Sequence, residues 1–228
     1  MLTGAGISTD SGIPDFRGPN GLWTRNPAAE RLSTYPDYLA DPELRYRSWR
    51  ARLAHPGWSA APNEAHLALA RLGEAIDTWV ITQNVDGLHQ RAGSPAERVV
   101  ELHGTMFGVV CVHCGERTEM AATLARVRAG EADPPCLTCG GILKSATVMF
   151  RQPLDRAVLI QAVRAAQGCD LMLAIGSTLT VDPAASLCRV AVEHGAHLVV
   201  INRDPTPYDA LATEVIREPI AHRCSLAK

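Results

Sequence analysis

The chain is expected to fold as an α/β protein: a doubly wound parallel sheet with helices on both faces, interrupted by a helical insert and by a four-cysteine segment suited to zinc. Three observations lead there. Short apolar runs end repeatedly in glycine or asparagine and are followed by helical stretches, the alternation of a parallel sheet. Residues 27–73 look helical throughout and interrupt that alternation. Residues 105–147 interrupt it again, with two Cys-x-x-Cys pairs and few long apolar runs.

At 228 residues the chain is long enough for one large domain carrying inserts. The division expected is a parallel-sheet domain from 1–26, 74–104 and 148–228, a helical insert at 27–73 and a zinc module at 105–147. Apolar residues at 46% and charged residues at 20% exclude disordered, collagenous and disulfide-miniprotein classes. Twenty-two basic against twenty-four acidic residues give a formal charge of −2, so no overall field draws the chain to nucleic acid or an anionic membrane. Apolar runs such as Leu171 to Ile175 fall far short of the ~20 residues that cross a bilayer, and no charged leader precedes an apolar run at Met1. A cytoplasmic, monomeric protein is expected, with neither membrane nor specific nucleic acid as partner.

In chain order, Thr3-Gly-Ala-Gly-Ile-Ser8 and Ser11-Gly-Ile-Pro-Asp-Phe-Arg-Gly18 form loops. Asp41-Pro42 starts one helix; Asn63 caps another, which buries Leu67, Ala70 and Leu72 and stops at Gly73. Strands run over Asp77 to Ile81, Arg98 to Leu102, Asp170 to Ile175 and His197 to Ile201. A helix begins at Pro183 and reaches Glu193. Polar residues gather just after each strand: Thr82-Gln83-Asn84, His103-Gly104, Gly176-Ser177-Thr178 and Asn202-Arg203-Asp204. Open α/β sheets bind ligands at the carboxyl ends of their strands, so these loops nominate one shared site.

Gly4 and Gly6 can let backbone N–H groups approach a pyrophosphate, with a helix N-terminus behind them, or can simply form a turn. Asp15, Phe16 and Arg17 put an acid, an aromatic face and a guanidinium on a Gly/Pro-rich loop, which suits a mobile grip on a cofactor. Gln83, Asn84 and Asp86 can bond a ribose and a carboxamide, or form an Asx-turn. His89, a turn further on, is structural. His103, at a strand end beside a glycine, is placed to act as a general base near neutral pH, although a lone histidine is more often structural.

Cys111, Cys114, Cys136 and Cys139 form two Cys-x-x-Cys knuckles twenty-one residues apart, each followed by glycine. That spacing suits one tetrahedral Zn²⁺ held by four thiolates, a closed and hence structural site; a redox pair is the alternative. From Met106 to Thr147 four basic residues (Arg117, Arg126, Arg128, Lys144) face four acidic ones, which argues against phosphate-backbone binding.

Taken together these residues resemble the sirtuins, NAD-dependent protein-lysine deacylases. GAGISTDSGIPDFRG (Gly4 to Gly18), TQNVDGLH (Thr82 to His89), ELHG (Glu101 to Gly104), both cysteine pairs, GSTL (Gly176 to Leu179) and INRD (Ile201 to Asp204) occur in that family's order from about Leu2 to Pro219. The resemblance implies an NAD-binding Rossmann-like domain, a small lobe, and a cleft between them for acyl-lysine peptide. By it Gly4, Ala5, Gly6, Gly176, Ser177 and Thr178 lie near the phosphates, and Asn202, Arg203 and Asp204 near the adenine-side ribose. Asp15, Phe16 and Arg17 cover the nicotinamide half. Gln83 holds the nicotinamide-side ribose, Asn84 positions a water or that ribose, and Asp86 takes the carboxamide. His103 draws a proton through the ribose hydroxyls, so that the acyl group passes to ADP-ribose and nicotinamide leaves.

The chain departs from the family pattern in four places. The strand that feeds the phosphate loop is expected to be almost absent, because Met1-Leu2 stand directly before Thr3-Gly4. Phe150-Arg151-Gln152 stands where the family has Phe-Gly-Glu beside the substrate strand, which includes Val148. Trp49-x-x-Arg52 stands where sirtuins that remove acidic acyl groups have Tyr-x-x-Arg, so Arg52 can face an acyl carboxylate or belong to a solvated arginine face. The tail from Ile220 to Lys228 stops before a usual final helix. Two alternatives to deacylation share these residues: mono-ADP-ribosyl transfer, and a zinc-stabilised NAD-binding module without turnover.

Overall fold

A computed structural model describes residues 1–19 and 21–220. Its strands are β1 (Leu2–Thr3), β2 (Val80–Thr82), β3 (Val99–Glu101), β4 (Gly104–Cys111), β5 (Arg117–Glu119), β6 (Leu143–Thr147), β7 (Leu171–Ile175), β8 (His197–Ile201) and β9 (Glu214–Ile216). Its α-helices are α1 (Leu22–Arg25), α2 (Tyr35–Ala40), α3 (Pro42–Leu53), α4 (Glu64–Ala75), α5 (Leu88–Arg91), α6 (Met120–Arg128), α7 (Arg156–Gln167) and α8 (Ser186–Glu193). Among the described residues no helix is long and apolar enough to cross a membrane.

The chain divides into two compact units. The first comprises Met1–Asp15, Ala60–Leu102 and the chain from Leu154. It carries a six-stranded, all-parallel sheet in the order β3-β2-β1-β7-β8-β9, the α/β layering expected from the sequence. Alternation along the strands sorts the core into two faces. Met172, Ala174, Leu198 and Val200 pack with Ala162 and Ala166 of α7 and with Leu187, Cys188 and Ala191 of α8. Ile175 and Ile201 turn the other way, toward Ile7 and toward Ala65 and Leu69 of α4.

β1 is short but not missing. Leu2 and Thr3, both fully buried, pair with Ile81 and Thr82 on one side and Ala174 and Ile175 on the other. Two residues in register with two neighbours suffice to fix the loop that begins at Gly4.

Caps account for the helix starts. Asp41 Oδ1 accepts from the N–H groups of Glu43 (3.0 Å) and Leu44 (3.2 Å) to open α3, and Asp155 Oδ1 does the same at Ala157 (2.8 Å) for α7. Asn63 Oδ1 accepts from Ala65 (3.0 Å) and His66 (3.4 Å), while His66 Nδ1 accepts from the Asn63 N–H, a reciprocal capping box. α4 runs through Gly73 to Ala75, and its buried face is Ala65, His66, Leu69 and Ala70; of the residues expected there Ala70 is buried, while Leu67 and Leu72 are only half-buried. That face is set by the cap, because Asn63 also donates from Nδ2 to the Ile7 carbonyl (2.8 Å) and so turns α4 toward the Gly4 loop. α4 thereby belongs to the first unit, where the sequence division had put residues 27–73 together. α8 begins at Ser186, three residues after the Pro183 start expected of it.

The second unit comprises Phe16–Ser59 and His103–Pro153. Its three-stranded antiparallel sheet, β5-β4-β6, was not visible in the sequence. Trp49 of α3 packs among Val109, Cys111, Met120, Leu124, Cys136 and Leu143, so a helix from outside the cysteine segment supplies the largest side chain of this core. Tyr38 Oη donates to the Leu143 carbonyl (2.8 Å), and Arg45 pairs with Asp133 (2.6 Å), fastening α2 and α3 to the same segment.

Candidate active site

In the first unit, strands run outward in both directions from the β1–β7 pair, which makes the carboxyl ends of those two strands the switch point where open α/β sheets hold ligands. The two loops there are locked by backbone. Gly4 N–H donates to the Ile175 carbonyl (3.0 Å), Gly6 N–H to Gly176 (2.8 Å) and Gly176 N–H to Ile201 (2.9 Å). A Cβ on Gly176 would lie 2.4 Å from the Ile7 nitrogen, and its φ is +63°, so only glycine fits. The N–H groups of Gly4 and Gly6 are therefore already bonded, and the chain continues from Gly4 as a 3-10 segment, Ala5–Ser11, rather than an α-helix. These glycines allow one loop to approach the other; they do not present their own amides and an α-helical dipole as the sequence had implied. Ala5 opens that segment half-buried, and Thr178 Oγ1 lies 2.9 Å from Thr180 Oγ1.

The loop after β2 carries a buried polar network. Ser8 Oγ donates to Asp86 Oδ2 (2.8 Å) and accepts from Asn84 Nδ2 (3.1 Å), which also donates to the Gly4 carbonyl (3.1 Å). His66 Nε2 lies 3.5 Å from Ser8 Oγ. Asp86 Oδ1 accepts from Leu88 N–H (3.0 Å), so the Asx-turn is real, yet the second oxygen of the same carboxylate faces the network. Gln83 Nε2 donates to Ser177 Oγ (2.9 Å), tying the β2 loop to the β7 loop. Burial lowers the His66 imidazole to about 4, with Asp86 opposing that shift.

Beneath lies His89, structural as expected. Thr3 Oγ1 donates to Thr82 Oγ1 (2.8 Å), so toward His89 Nε2 at 2.9 Å it accepts, which puts the His89 proton on Nε2. Nδ1 is left buried without a hydrogen-bond partner among the described residues. Burial, with lesser contributions from His66 and the N-terminal ammonium, drops this imidazole to about 3.

At the end of β8, Arg203 grips Asp204 with Nη2 (2.7 Å) and Nε (3.1 Å), and Asn202 Nδ2 donates to the Asp204 carbonyl (2.8 Å). The bond to Arg203 holds the Asp204 carboxyl below its ordinary value. The bond to Asp204 raises Arg203 above its ordinary value, with Asp15 adding a smaller electrostatic contribution.

In the second unit, Trp23 gathers the residues expected over nicotinamide. Its ring lies 4.7 Å from Phe16 and 5.1 Å from Phe150, and the Arg17 guanidinium stands 4.6 Å over it. Phe16 is 41% exposed, so part of its ring faces solvent. The backbone of Phe150 is held by Ser33 and Tyr35 (2.7 and 2.9 Å), and Val148 N–H donates to the His103 carbonyl (2.7 Å). Gly104 has φ +71°, and a Cβ there would meet the Ala146 carbonyl at 2.1 Å, which is why glycine follows His103. Trp49 is wholly buried in the core, its indole N–H without a hydrogen-bond partner among the described residues. Arg52 lies 5.7 Å over that ring and donates to the Ser48 carbonyl (3.1 Å), so it is anchored rather than part of a solvated face.

The four cysteine sulfurs lie within 4.8 Å of one another, with Cys111 and Cys139 at 3.5 Å and Cys114 and Cys136 at 3.7 Å. Zn–S bonds of ~2.3 Å in a tetrahedron require S···S of about 3.8 Å, so donor chemistry and spacing both fit a zinc ion. Each knuckle repeats one turn, Gly115 N–H donating to Cys111 and Gly140 N–H to Cys136 (3.0 and 2.9 Å). Among the described residues the other cysteines, Cys169 and Cys188, are free thiols.

Sequence reasoning missed Ser8, His66 and Trp23. Ser8 and His66 sit inside stretches that had been singled out, but their partners are 58 and 78 residues away, beyond any local pattern.

A profile of the Sir2 family matches residues 4–183. An NAD-dependent protein deacetylase 2 of Streptomyces coelicolor is 59% identical over 221 residues, covering 96% of this chain and 92% of that protein. A solved Sir2 structure with deacetylated p53 peptide and 3′-O-acetyl ADP-ribose superposes with a TM-score of 0.90 at 36% identity, covering 98% of this chain and 89% of the other. Another, of Sir2 with p53 peptide and NAD⁺, gives 0.88 at 35% identity, covering 99% and 89%. With the switch-point loops, the Ser8–Asp86 network and these likenesses in agreement, the chain belongs to the Sir2 family.

Proposed function

We propose that the chain is an NAD-dependent protein-lysine deacetylase, passing the acyl group of an acyl-lysine protein or peptide to ADP-ribose and releasing nicotinamide. The observation that carries this is the buried network joining Ser8, Asn84 and Asp86 at the sheet's switch point. NAD supplies the glycosidic bond that is broken and the ribose that accepts the acyl group. Asp86 keeps lone pairs on both oxygens beyond those taken by Leu88 and Ser8, enough to accept from a carboxamide NH₂. Asn84, fixed at its amide end, orients the reacting ribose or a water. Gly4, Ala5, Gly6, Gly176, Ser177 and Thr178 border the phosphates, Gln83 the nicotinamide-side ribose, Asn202, Arg203 and Asp204 the adenine-side ribose, and Asp15, Phe16 and Arg17 the nicotinamide half. His103 takes the proton from the ribose hydroxyls.

Val148 and Phe150 present backbone to the peptide. Arg52 faces the end of the acyl chain, with Trp49 acting as its packed support. Cys111, Cys114, Cys136 and Cys139 hold one structural Zn²⁺. The protein works in the cytoplasm as a monomer, without nucleic acid or membrane, a reading supported by its free thiols and balanced charge.

His103→Ala decides the chemistry. Deacetylation of an acetyl-peptide should fall by roughly 10²–10⁴ while NAD binding changes little. Retention of most turnover would refute the base, and nicotinamide release without O-acetyl-ADP-ribose would favour ADP-ribosyl transfer.

A further inference from the structure

Lys144 is one of only two lysines in the chain, and it is 3% exposed. The charged groups that bear on it, Arg52 and Arg117, are cations; burial first and these two after it lower its ammonium to about 8. An amine kept in such surroundings needs a structural reason.

Its bonds give one. Lys144 Nζ donates to the Ser145 carbonyl at 2.8 Å and to the Thr147 carbonyl at 2.7 Å. Val148 N–H donates to His103, and the Ala146 carbonyl is the group that crowds Gly104, so residues 146 and 148 turn toward β4. Backbone groups alternate along a strand, and the carbonyls of 145 and 147 therefore face the opposite edge, where one ammonium takes both. Pairing slips at this point: Gly104 stands opposite Thr147 but Val109 opposite Ser145, so five steps along β4 match two along β6. A ladder interrupted in this way does little to fix the end of β6.

We propose that Lys144 is a positioning residue for acyl transfer: by clamping the carbonyls of Ser145 and Thr147 it sets the backbone that holds His103 at Val148 and presents Val148–Phe150 to the acyl-lysine. This rests on the roles proposed above for His103, Val148 and Phe150.

The test compares Lys144→Met, which removes all donors, and Lys144→Gln, which keeps one amide donor, with the zinc-loaded wild-type enzyme on an acetyl-peptide. For Lys144→Met the peptide KM should rise at least tenfold and kcat fall at least threefold, with the KM for NAD within twofold and zinc content unchanged. Amide exchange should quicken at least tenfold in fragments covering 145–148 and not in those covering Met120–Arg128. Lys144→Gln should fall between, with peptide KM up at least threefold, and it carries the test should the Met protein not fold. Peptide kinetics within twofold of wild type in a folded variant overturn the proposal, and so does exchange that rises uniformly across the second unit. His103→Ala is measured alongside. If it is inactive while Lys144→Met is normal, the clamp fails alone; if it stays active, the base reading fails, and the peptide KM and the 145–148 exchange still decide the clamp.

Discussion

Ser8 Oγ donates to Asp86 Oδ2 across 2.8 Å, joining the first loop of the chain to the loop after β2 at the point where both are buried. Removing that hydroxyl leaves a buried carboxylate short of a donor and frees Asn84 Nδ2 from one partner. Ser8→Ala should cost about 1.5–3 kcal/mol in stability, the scale of a lost hydrogen bond to a charged group. Nicotinamide release at saturating peptide should drop about tenfold, read beside a urea melt that separates the two effects.

Stability should fall as pH falls from about 6.5 toward 4. The imidazoles of His66 and His89 are lowered in the folded chain to about 4 and about 3, while in the unfolded chain they titrate near 6.5. Between those values the unfolded state binds more protons, so its free energy drops with acid and the stability present at neutral pH is lost, by up to about 1.4 kcal/mol per pH unit for each imidazole. Urea midpoints at pH 7.5, 6.0 and 5.0 should decline steadily, and His66→Gln should make the decline shallower.

Arg151 occupies the left-handed region at φ +64° in a turn closed by the Gln152 N–H on the Met149 carbonyl (3.0 Å) and the Met149 N–H on Gln152 Oε1 (3.2 Å). A Cβ in that region costs about 1–2 kcal/mol, offset in part by the lower unfolded-state entropy of a non-glycine residue. Arg151→Gly should therefore raise stability by about 0.5–1 kcal/mol, seen as a Tm increase of roughly 1–4 °C.

Stripping the four cysteines of metal should unfold the sheet β5-β4-β6 while sparing the parallel sheet. Trp49, Cys111 and Cys136 share one small core, and four thiolates without a cation repel one another. Structural zinc sites contribute on the order of 10 kcal/mol of apparent binding energy, more than so small a core can replace. After chelation, amide protection should vanish from 105–147 and persist in β7 and β8, with zinc release counted by a chromogenic chelator.

Much of this was legible locally. Asp41 and Asn63 announce helix starts because a cap bonds within three residues of itself, and His197 to Ile201 reads as a strand because its apolar run is unbroken. Local signals failed where distant partners decide. α4 passes through Gly73, where a Cβ would meet Thr78 Oγ1 at 2.9 Å, so that glycine serves a close approach rather than a helix stop. Trp49 reads as half of a substrate-facing Trp49-x-x-Arg52 pair, yet it is wholly buried because it packs against Val109, Met120, Leu124 and Leu143, all more than fifty residues further along the chain. The network around Asp86 was half visible: Asn84 and Asp86 stand in one motif, but the residue that joins them, Ser8, stands in another. The expectation about a final helix concerns residues 221–228, outside the described part of the chain.

β1 lies at the centre of the sheet, and its two neighbours are made at very different times. Ile81 is synthesised about 80 residues after Leu2, but Ala174 only about 170 residues after it. At ribosomal rates of roughly 5–20 residues per second, the nascent half-sheet waits on the order of ten seconds with one side of its middle strand unpaired. Until β7 emerges, that edge of β1 is open to pairing with any other exposed strand.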